Sequence, residues 1–116
     1  MSQTQVTTTP NTTDATIATV AEIVTFRLIE GTDPAAFITA ARAIEPMLKA
    51  SGTVLSRTLS CDDTDTWTDH ITWTTMAAAT STAEAMMADP LAAPMMQLID
   101  PAHVTMRHAP IAYQQE

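Results

Sequence analysis

The sequence has 116 residues and a net charge of −8, from 13 acidic against 5 basic side chains. This length predicts one domain. The charge argues against a nucleic-acid partner and against binding to an anionic membrane, because phosphate groups are bound by clustered lysine and arginine side chains. The single cysteine, Cys61, excludes an intramolecular disulfide and argues against a zinc site built on thiolates.

The first residues differ in composition from the rest of the chain. Residues 1–18 are rich in threonine and poor in apolar side chains, so they are predicted to form a flexible tail, and residues 19–116 a single domain. The N-terminal sequence has neither the basic region nor the apolar core of a secretory signal, and no apolar run reaches the roughly 20 residues of a membrane span. We therefore expect a cytoplasmic protein that does not enter a membrane.

The predicted domain begins with a strand followed by a helix. Residues 20–30, VAEIVTFRLIE, alternate with a period of two, so that Phe26 and its neighbours Val24 and Leu28 form an apolar face while Arg27 lies on the mixed face.

The predicted helix begins at Pro34, with Asp33 or Thr32 as its N-cap. Gly52 lies where a C-terminal cap belongs, and Pro46 is expected to distort the helix near its end.

Two further strands are predicted over residues 53–60 and in the run WTDHITWTT, residues 67–75. The acidic segment between them, which begins at Cys61, has the aspartates of a calcium loop but lacks the glycine and the distal glutamate of an EF-hand. A solvated hairpin loop is predicted instead.

The last predicted elements are a helix and a strand. Ser81 and Glu84 have the spacing of a capping box, which predicts a helix from residue 81 that is interrupted at Pro90. Pro94 can restart a helical turn, and residues 103–112 are predicted as the final strand. The four methionines of this segment are interpreted as adaptable core packing rather than as metal ligands. They are Met86, Met87, Met95 and Met96.

The order βαββαβ is that of the ferredoxin-like fold in the α+β class, an antiparallel four-stranded sheet with two helices on one face. The other face carries too much apolar surface to face water and too much polarity for a dry core. Packing the sheets of two subunits face to face would cover it. We therefore predict a homodimer that forms an α/β barrel.

The pattern from about Ala21 to Ala112 resembles the dimeric α/β-barrel superfamily, particularly its antibiotic-biosynthesis-monooxygenase-like branch. The stretch WTDHITWTTMAAATSTAEAMMADPLAAPMMQLID carries most of the resemblance, and the closing VTMRHAPI is also similar to the last strand of such proteins. The superfamily contains cofactor-independent oxygenases, isomerases, haem-degrading enzymes and members without known activity. The resemblance implies a small-molecule-binding homodimer with one of these activities or none.

The haem-degrading members resemble one another in an Asn–Trp–His set whose histidine lies in the first helix region. The first predicted helix here, about residues 34–50, contains neither histidine nor asparagine. Haem binding or degradation is therefore the least favoured alternative, and no cofactor is predicted. No metal site is predicted either, because Asp69 and His70 are adjacent in a strand and point to opposite faces.

The candidate catalytic residues are His70 and Arg27. Ile71 and Trp73 are the bulky apolar pair of their strand and should face the helices, which places His70 on the opposite face, towards the interior of the predicted dimer. An imidazole can act as a general base near neutral pH, and a guanidinium can stabilise the anion that forms. The structural alternative is a hydrogen-bonded His70 and an Arg27 paired with a carboxylate or carbonyl.

Further contacts to a bound molecule are predicted for Trp73, as a wall of the site, and for Phe26, Thr72 and His108. The first functional hypothesis is a cofactor-independent monooxygenase or isomerase that acts on a small apolar or aromatic compound, bound between the sheet and the helices or inside the barrel. The alternative hypothesis is a non-catalytic homodimeric ligand-binding or assembly module.

Overall fold

The computed structural model of the protein describes residues 18–115, so the predicted tail lies outside the described residues except for Ala18. The described chain contains four strands, β1 (Val20–Leu28), β2 (Val54–Cys61), β3 (Trp67–Trp73) and β4 (Ile99–Pro110). It also contains four helical segments, α1 (Pro34–Arg42), α2 (Glu45–Ser51), α3 (Met76–Ala88) and α4 (Ala93–Gln97). None of these helices is long and apolar enough to cross a membrane.

The strands form one antiparallel sheet in the order β2-β3-β1-β4. The helices cover one face of this sheet, which we call the helix side, and we call the other face the open face. This arrangement confirms the predicted ferredoxin-like α+β fold. The dimeric barrel stays a prediction.

Prolines divide each of the two predicted helices into two segments. Pro46 lies in the first turn of α2, directly after α1 has ended, and Pro94 lies in the first turn of α4. A proline has no N–H to donate and clashes with the preceding turn, so it starts a helix more readily than it continues one. The Asp33 carboxylate caps α1 by accepting a hydrogen bond from the N–H of Ala35, 3.0 Å away. Gly52 ends α2 with a φ of 68°.

The predicted first residues of the second helix and of the last strand were wrong. Helix α3 begins at Met76 rather than at residue 81, because Thr75 provides the N-cap: its hydroxyl accepts a hydrogen bond from the N–H of Ala78, 3.0 Å away. Ser81 lies inside this helix. Strand β4 begins at Ile99 rather than at residue 103, because Ile99 pairs with Leu28 across an irregularity in the ladder.

The core lies between the sheet and the helices. Phe26, Phe37 and Trp67 form its aromatic centre, with ring centroids between 5.1 and 6.4 Å apart. Ile71 and Trp73 are buried on the same side. The predicted helix-facing sides of β1 and β3 are therefore confirmed.

The open face is rich in hydroxyl groups. One row across all four strands consists of Ser60, Thr68, Thr25 and Thr105, which are neighbours in the strand register. The hydroxyls of Thr25 and Thr105 are hydrogen-bonded to each other. Polar side chains of this kind are compatible with water or with a polar interface, so the open face is not a dry core surface.

Candidate functional site

A largely apolar cavity of about 450 Å³ lies on the helix side, bounded by β1, β4, α3 and α4. We call it the helix-side cavity. Five of the eight methionines of the chain line it: Met86, Met87, Met95, Met96 and Met106. Unbranched thioether side chains adapt their rotamers to differently shaped partners. The walls are therefore suited to binding an apolar molecule.

The cavity is open because the helices leave the middle of β4 uncovered. Val104 and Met106 point to the helix side of this edge strand, yet they are 43% and 56% exposed. On the central strands β1 and β3 the corresponding positions, such as Phe26 and Ile71, are buried. At these two positions of β4, no helix of the described chain packs on the apolar side chains. They border a space that a ligand can fill.

A buried carboxylate adjoins this apolar space. Glu22 lies on the helix side of β1, is 6% exposed and lines the cavity. Its Oε1 atom lies 3.0 Å from Nε2 of His108, the residue opposite it on β4. The imidazole therefore holds one carboxylate oxygen, and among the described residues no hydrogen bond engages Oε2. Glu22 is not among the site residues predicted from the sequence, although it belongs to the helix-facing series of β1, in which a charged residue is unusual.

A second buried pair lies beside the cavity. Arg57 donates hydrogen bonds from Nε and Nη2 to the two carboxylate oxygens of Asp69, at 3.0 and 2.8 Å. Its Nη1 donates to the carbonyl oxygen of Ala41 near the end of α1, and its Nη2 also lies 3.8 Å from the sulfur of Met95. One guanidinium thus joins β2, β3, α1 and α4. Arg57 therefore has a structural role, as the counterion of Asp69.

The structure does not bring His70 and Arg27 together. Both lie on the open face, but Ile23 is the residue of β1 opposite His70, and Arg27 lies four residues further along β1, about 13 Å away at the usual rise of a strand. Arg27 donates from Nη1 to the carbonyl oxygen of Thr64, at 2.7 Å. The arginine in the row of His70 is Arg107, on the far side of Ile23.

The other predicted contact residues fall into separate places. Phe26 lines the helix-side cavity and His108 adjoins it through Glu22. Trp73 is fully buried in the core, away from the cavity lining, and its indole Nε1 has no hydrogen-bond partner among the described residues. Thr72 is buried and points to the open face. Their roles in ligand binding stay predictions.

The acidic loop between β2 and β3 is held by its own first aspartate. Asp62 Oδ1 accepts hydrogen bonds from the N–H groups of Thr64 and Thr66 and from the Thr64 hydroxyl. The Thr64 hydroxyl contributes most to lowering the pKa of the Asp62 carboxyl. In the described part of the chain, no three histidine, cysteine, aspartate or glutamate side chains are grouped to hold a metal ion.

The exposed thiol of Cys61 lies at the start of this loop. Partial loss of hydration, then the negative charges of Asp65 and Asp62, raises the pKa of the Cys61 thiol, and the charge of Arg27 opposes them. A thiol with a raised pKa is a poor nucleophile at neutral pH. Cys61 therefore does not fit a catalytic role.

No protein-family model matches the sequence, and no curated protein matches it. Solved structures do match its fold. A protein of Bordetella bronchiseptica assigned to the antibiotic biosynthesis monooxygenases superposes with a TM-score of 0.69 at 11% identity, over 83% of this chain and 99% of that chain. A protein of Caulobacter crescentus with the same assignment has a TM-score of 0.66 at 12% identity, over 87% and 96% of the two chains.

A third similar structure is SnoaB of Streptomyces nogalater, described as a cofactor-independent oxygenase. It has a TM-score of 0.58 at 18% identity, over 85% of this chain and 96% of SnoaB. These identities are low, and the matches cover 83–87% of this chain and 96–99% of the other chains, so the likeness concerns the fold of the domain. The chain therefore has the ferredoxin-like fold of the antibiotic-biosynthesis-monooxygenase-like proteins, as the sequence resemblance implied.

Proposed function

We propose that the protein binds a small apolar or aromatic compound in the helix-side cavity and acts on it as a cofactor-independent monooxygenase or isomerase. The observation that carries the proposal is that one cavity combines a methionine-rich apolar wall with a buried carboxylate, Glu22, held by His108. The fold likeness to a cofactor-independent oxygenase supports the same class of activity.

Glu22 is the proposed general base. His108 occupies Oε1, so Oε2 is the oxygen that accepts a proton from an acidic C–H or O–H group of the bound compound, which becomes an anion. In an isomerisation the proton returns to a different carbon. In a monooxygenation dioxygen is the oxidant: one of its oxygen atoms enters the product, and the other leaves as water with two hydrogens of the substrate.

The predicted pair of His70 as base and Arg27 as anion stabiliser stays the alternative site, inside a homodimeric barrel formed by two open faces. The separation of the two residues along the sheet means that a ligand would have to span about 13 Å to meet both in one subunit. Arg107 shares the row of His70 and is the better-placed cation within one chain. The homodimer and the cytoplasmic location likewise remain part of the proposal.

A second candidate function is a non-catalytic homodimeric ligand-binding or assembly module. The same cavity supports it, because most of its lining is apolar and methionine-rich. Apolar contacts of this kind are sufficient for binding and do not require catalysis. Turnover of a compound that occupies the cavity separates the two functions.

Native mass spectrometry of the purified protein before and after denaturation provides the first test. We expect a dimer with an additional mass that denaturation releases, which gives the bound compound to be used in activity assays. Met106→Trp, which narrows the helix-side cavity at its exposed edge, should lower the occupancy. Leu55→Trp, at an exposed position of β2 outside this cavity, should leave the occupancy unchanged.

Substitutions then separate the two proposed bases. Glu22→Gln should reduce turnover of the identified compound by about 100-fold or more, in line with the loss of a general base, while compound binding persists. Glu45→Gln, at an exposed position on α2, is the matched control. Turnover that survives Glu22→Gln but is abolished by His70→Ala would move the chemistry to the open face. Binding without turnover in the unmodified protein would favour the non-catalytic module.

A further inference from the structure

We infer that the helix-side cavity selects its ligand by charge and takes an apolar molecule that carries a protonated amine. This inference rests on the proposed binding function of the cavity and adds the chemical class of its ligand. The ammonium group would lie at the mouth of the cavity beside Glu84, and the apolar body would lie against the methionines, towards Glu22.

The ionisable groups that line the cavity all carry the same sign of charge. They are the carboxylates of Glu22, Asp69 and Glu84, and no lysine or arginine among the described residues lines it. Asp69 is compensated by the two hydrogen bonds from Arg57, and Glu22 is held by His108. Glu84 is exposed on α3 and takes part in no ion pair among residues 18–115. It is therefore the uncompensated charge at the entrance.

The geometry separates the charged mouth from the apolar interior. On α3, Glu84 is followed within one turn by Met86 and Met87, which also line the cavity. Met87 is 72% exposed and so lies at the same outer edge as Glu84. An amphipathic molecule can thus place its charged end in water beside Glu84 and still bury its apolar part.

Electrostatics then disfavour an anionic ligand. A carboxylate or sulfonate entering the cavity would approach like charges, in a medium less polar than water, without a cation to pair with. The net charge of −8 adds a long-range repulsion of the same sign. A protonated amine is instead attracted by the carboxylate at the mouth. The affinity of a neutral ligand should lie between those of the amine and the anion.

Three probes with one naphthalene skeleton test the inference: 1-naphthylmethylamine, 1-naphthylmethanol and 1-naphthoate. Their dissociation constants are measured at neutral pH by displacement of the neutral fluorophore N-phenyl-1-naphthylamine. We expect the amine to bind about tenfold more tightly than the carboxylate, with the alcohol between them. Because Glu84 is exposed, this preference should shrink as salt is added.

Variants assign the preference to the mouth of the cavity. Glu84→Gln should remove most of the difference between amine and carboxylate, and Glu84→Lys should reverse their order, while Glu45→Gln should leave it unchanged. Equal binding of amine and carboxylate, or a preference that survives Glu84→Gln, would overturn the inference and leave the binding function intact. A reporter that does not bind, or whose binding is insensitive to Met106→Trp, would instead overturn the proposed cavity together with the inference.

Discussion

Glu22 and His108 are 86 residues apart in the chain, yet the carboxylate Oε1 of one and the ring Nε2 of the other lie 3.0 Å apart. The antiparallel pairing of β1 with β4 places the two residues opposite each other on the helix side. The side chains that make this contact are 8% and 21% exposed. Two paired strands thus hold a carboxylate at the edge of an apolar cavity, which gives the proposed general base a rigid support.

The interaction between Glu22 and His108 should contribute measurably to stability. We expect Glu22→Gln and His108→Gln each to lower the free energy of unfolding, with a coupling energy of about 1 kcal/mol in the double variant, because the contact is largely shielded from water. Urea unfolding of the four proteins at neutral pH measures the cycle. Strictly additive effects of the two substitutions would show that the pair is not energetically coupled.

Arg57 should contribute strongly to stability, because its removal leaves Asp69 without its counterion. The two side chains are only 16% and 12% exposed, so Arg57→Met should destabilise the protein by about 3–5 kcal/mol. The double variant Arg57→Met/Asp69→Leu should recover most of this loss, since it removes both charges. Thermal or urea unfolding checks both variants, and a double variant no more stable than Arg57→Met would contradict the buried-charge explanation.

The open face should form the interface of the predicted homodimer. Ile23 lies near its centre, between His70 on β3 and Arg107 on β4. Ile23→Asp should therefore shift the protein towards monomers, because it replaces an apolar side chain of the predicted interface by a charge whose burial costs free energy. Light scattering coupled to size-exclusion chromatography measures the mass. Leu91→Asp, at an exposed position outside the sheet, is the control. A dimer that tolerates Ile23→Asp at micromolar concentration would place the interface elsewhere.

The thiol of Cys61 should react slowly with alkylating agents at neutral pH. Its raised pKa leaves a smaller thiolate fraction than a free cysteine has at the same pH, and only the thiolate reacts. The rate of reaction with iodoacetamide should therefore rise with pH, and its pH profile should lie at higher pH than that of a free cysteine. Asp65→Asn should displace this curve back towards lower pH, because Asp65 is the leading source of negative charge at the thiol. Glu84→Gln, on the distant helix α3, should leave the curve unchanged.

The local features of the fold follow from the sequence because they depend on near neighbours in the chain. The alternation of Phe26 and Arg27 about β1 is a property of the extended backbone, and the caps at Asp33 and Gly52 need only the adjacent residues. The start of α3 was misplaced because both Thr75 and Ser81 are capable N-caps. Thr75 is the N-cap because β3 ends at Trp73, two residues before it, and the end of β3 is set by pairing within the sheet.

The candidate site depends on contacts that no local pattern contains. The sequence alone determined that His70 lies on the face opposite Trp73. Only the tertiary structure decided that Arg57 pairs with Asp69, that Glu22 contacts His108, and that the methionines line a cavity. These contacts depend on the register between strands that are distant in sequence. The cavity depends on where α3 and α4 lie relative to β4. Both are set by the packing of the whole domain, which no local sequence pattern contains.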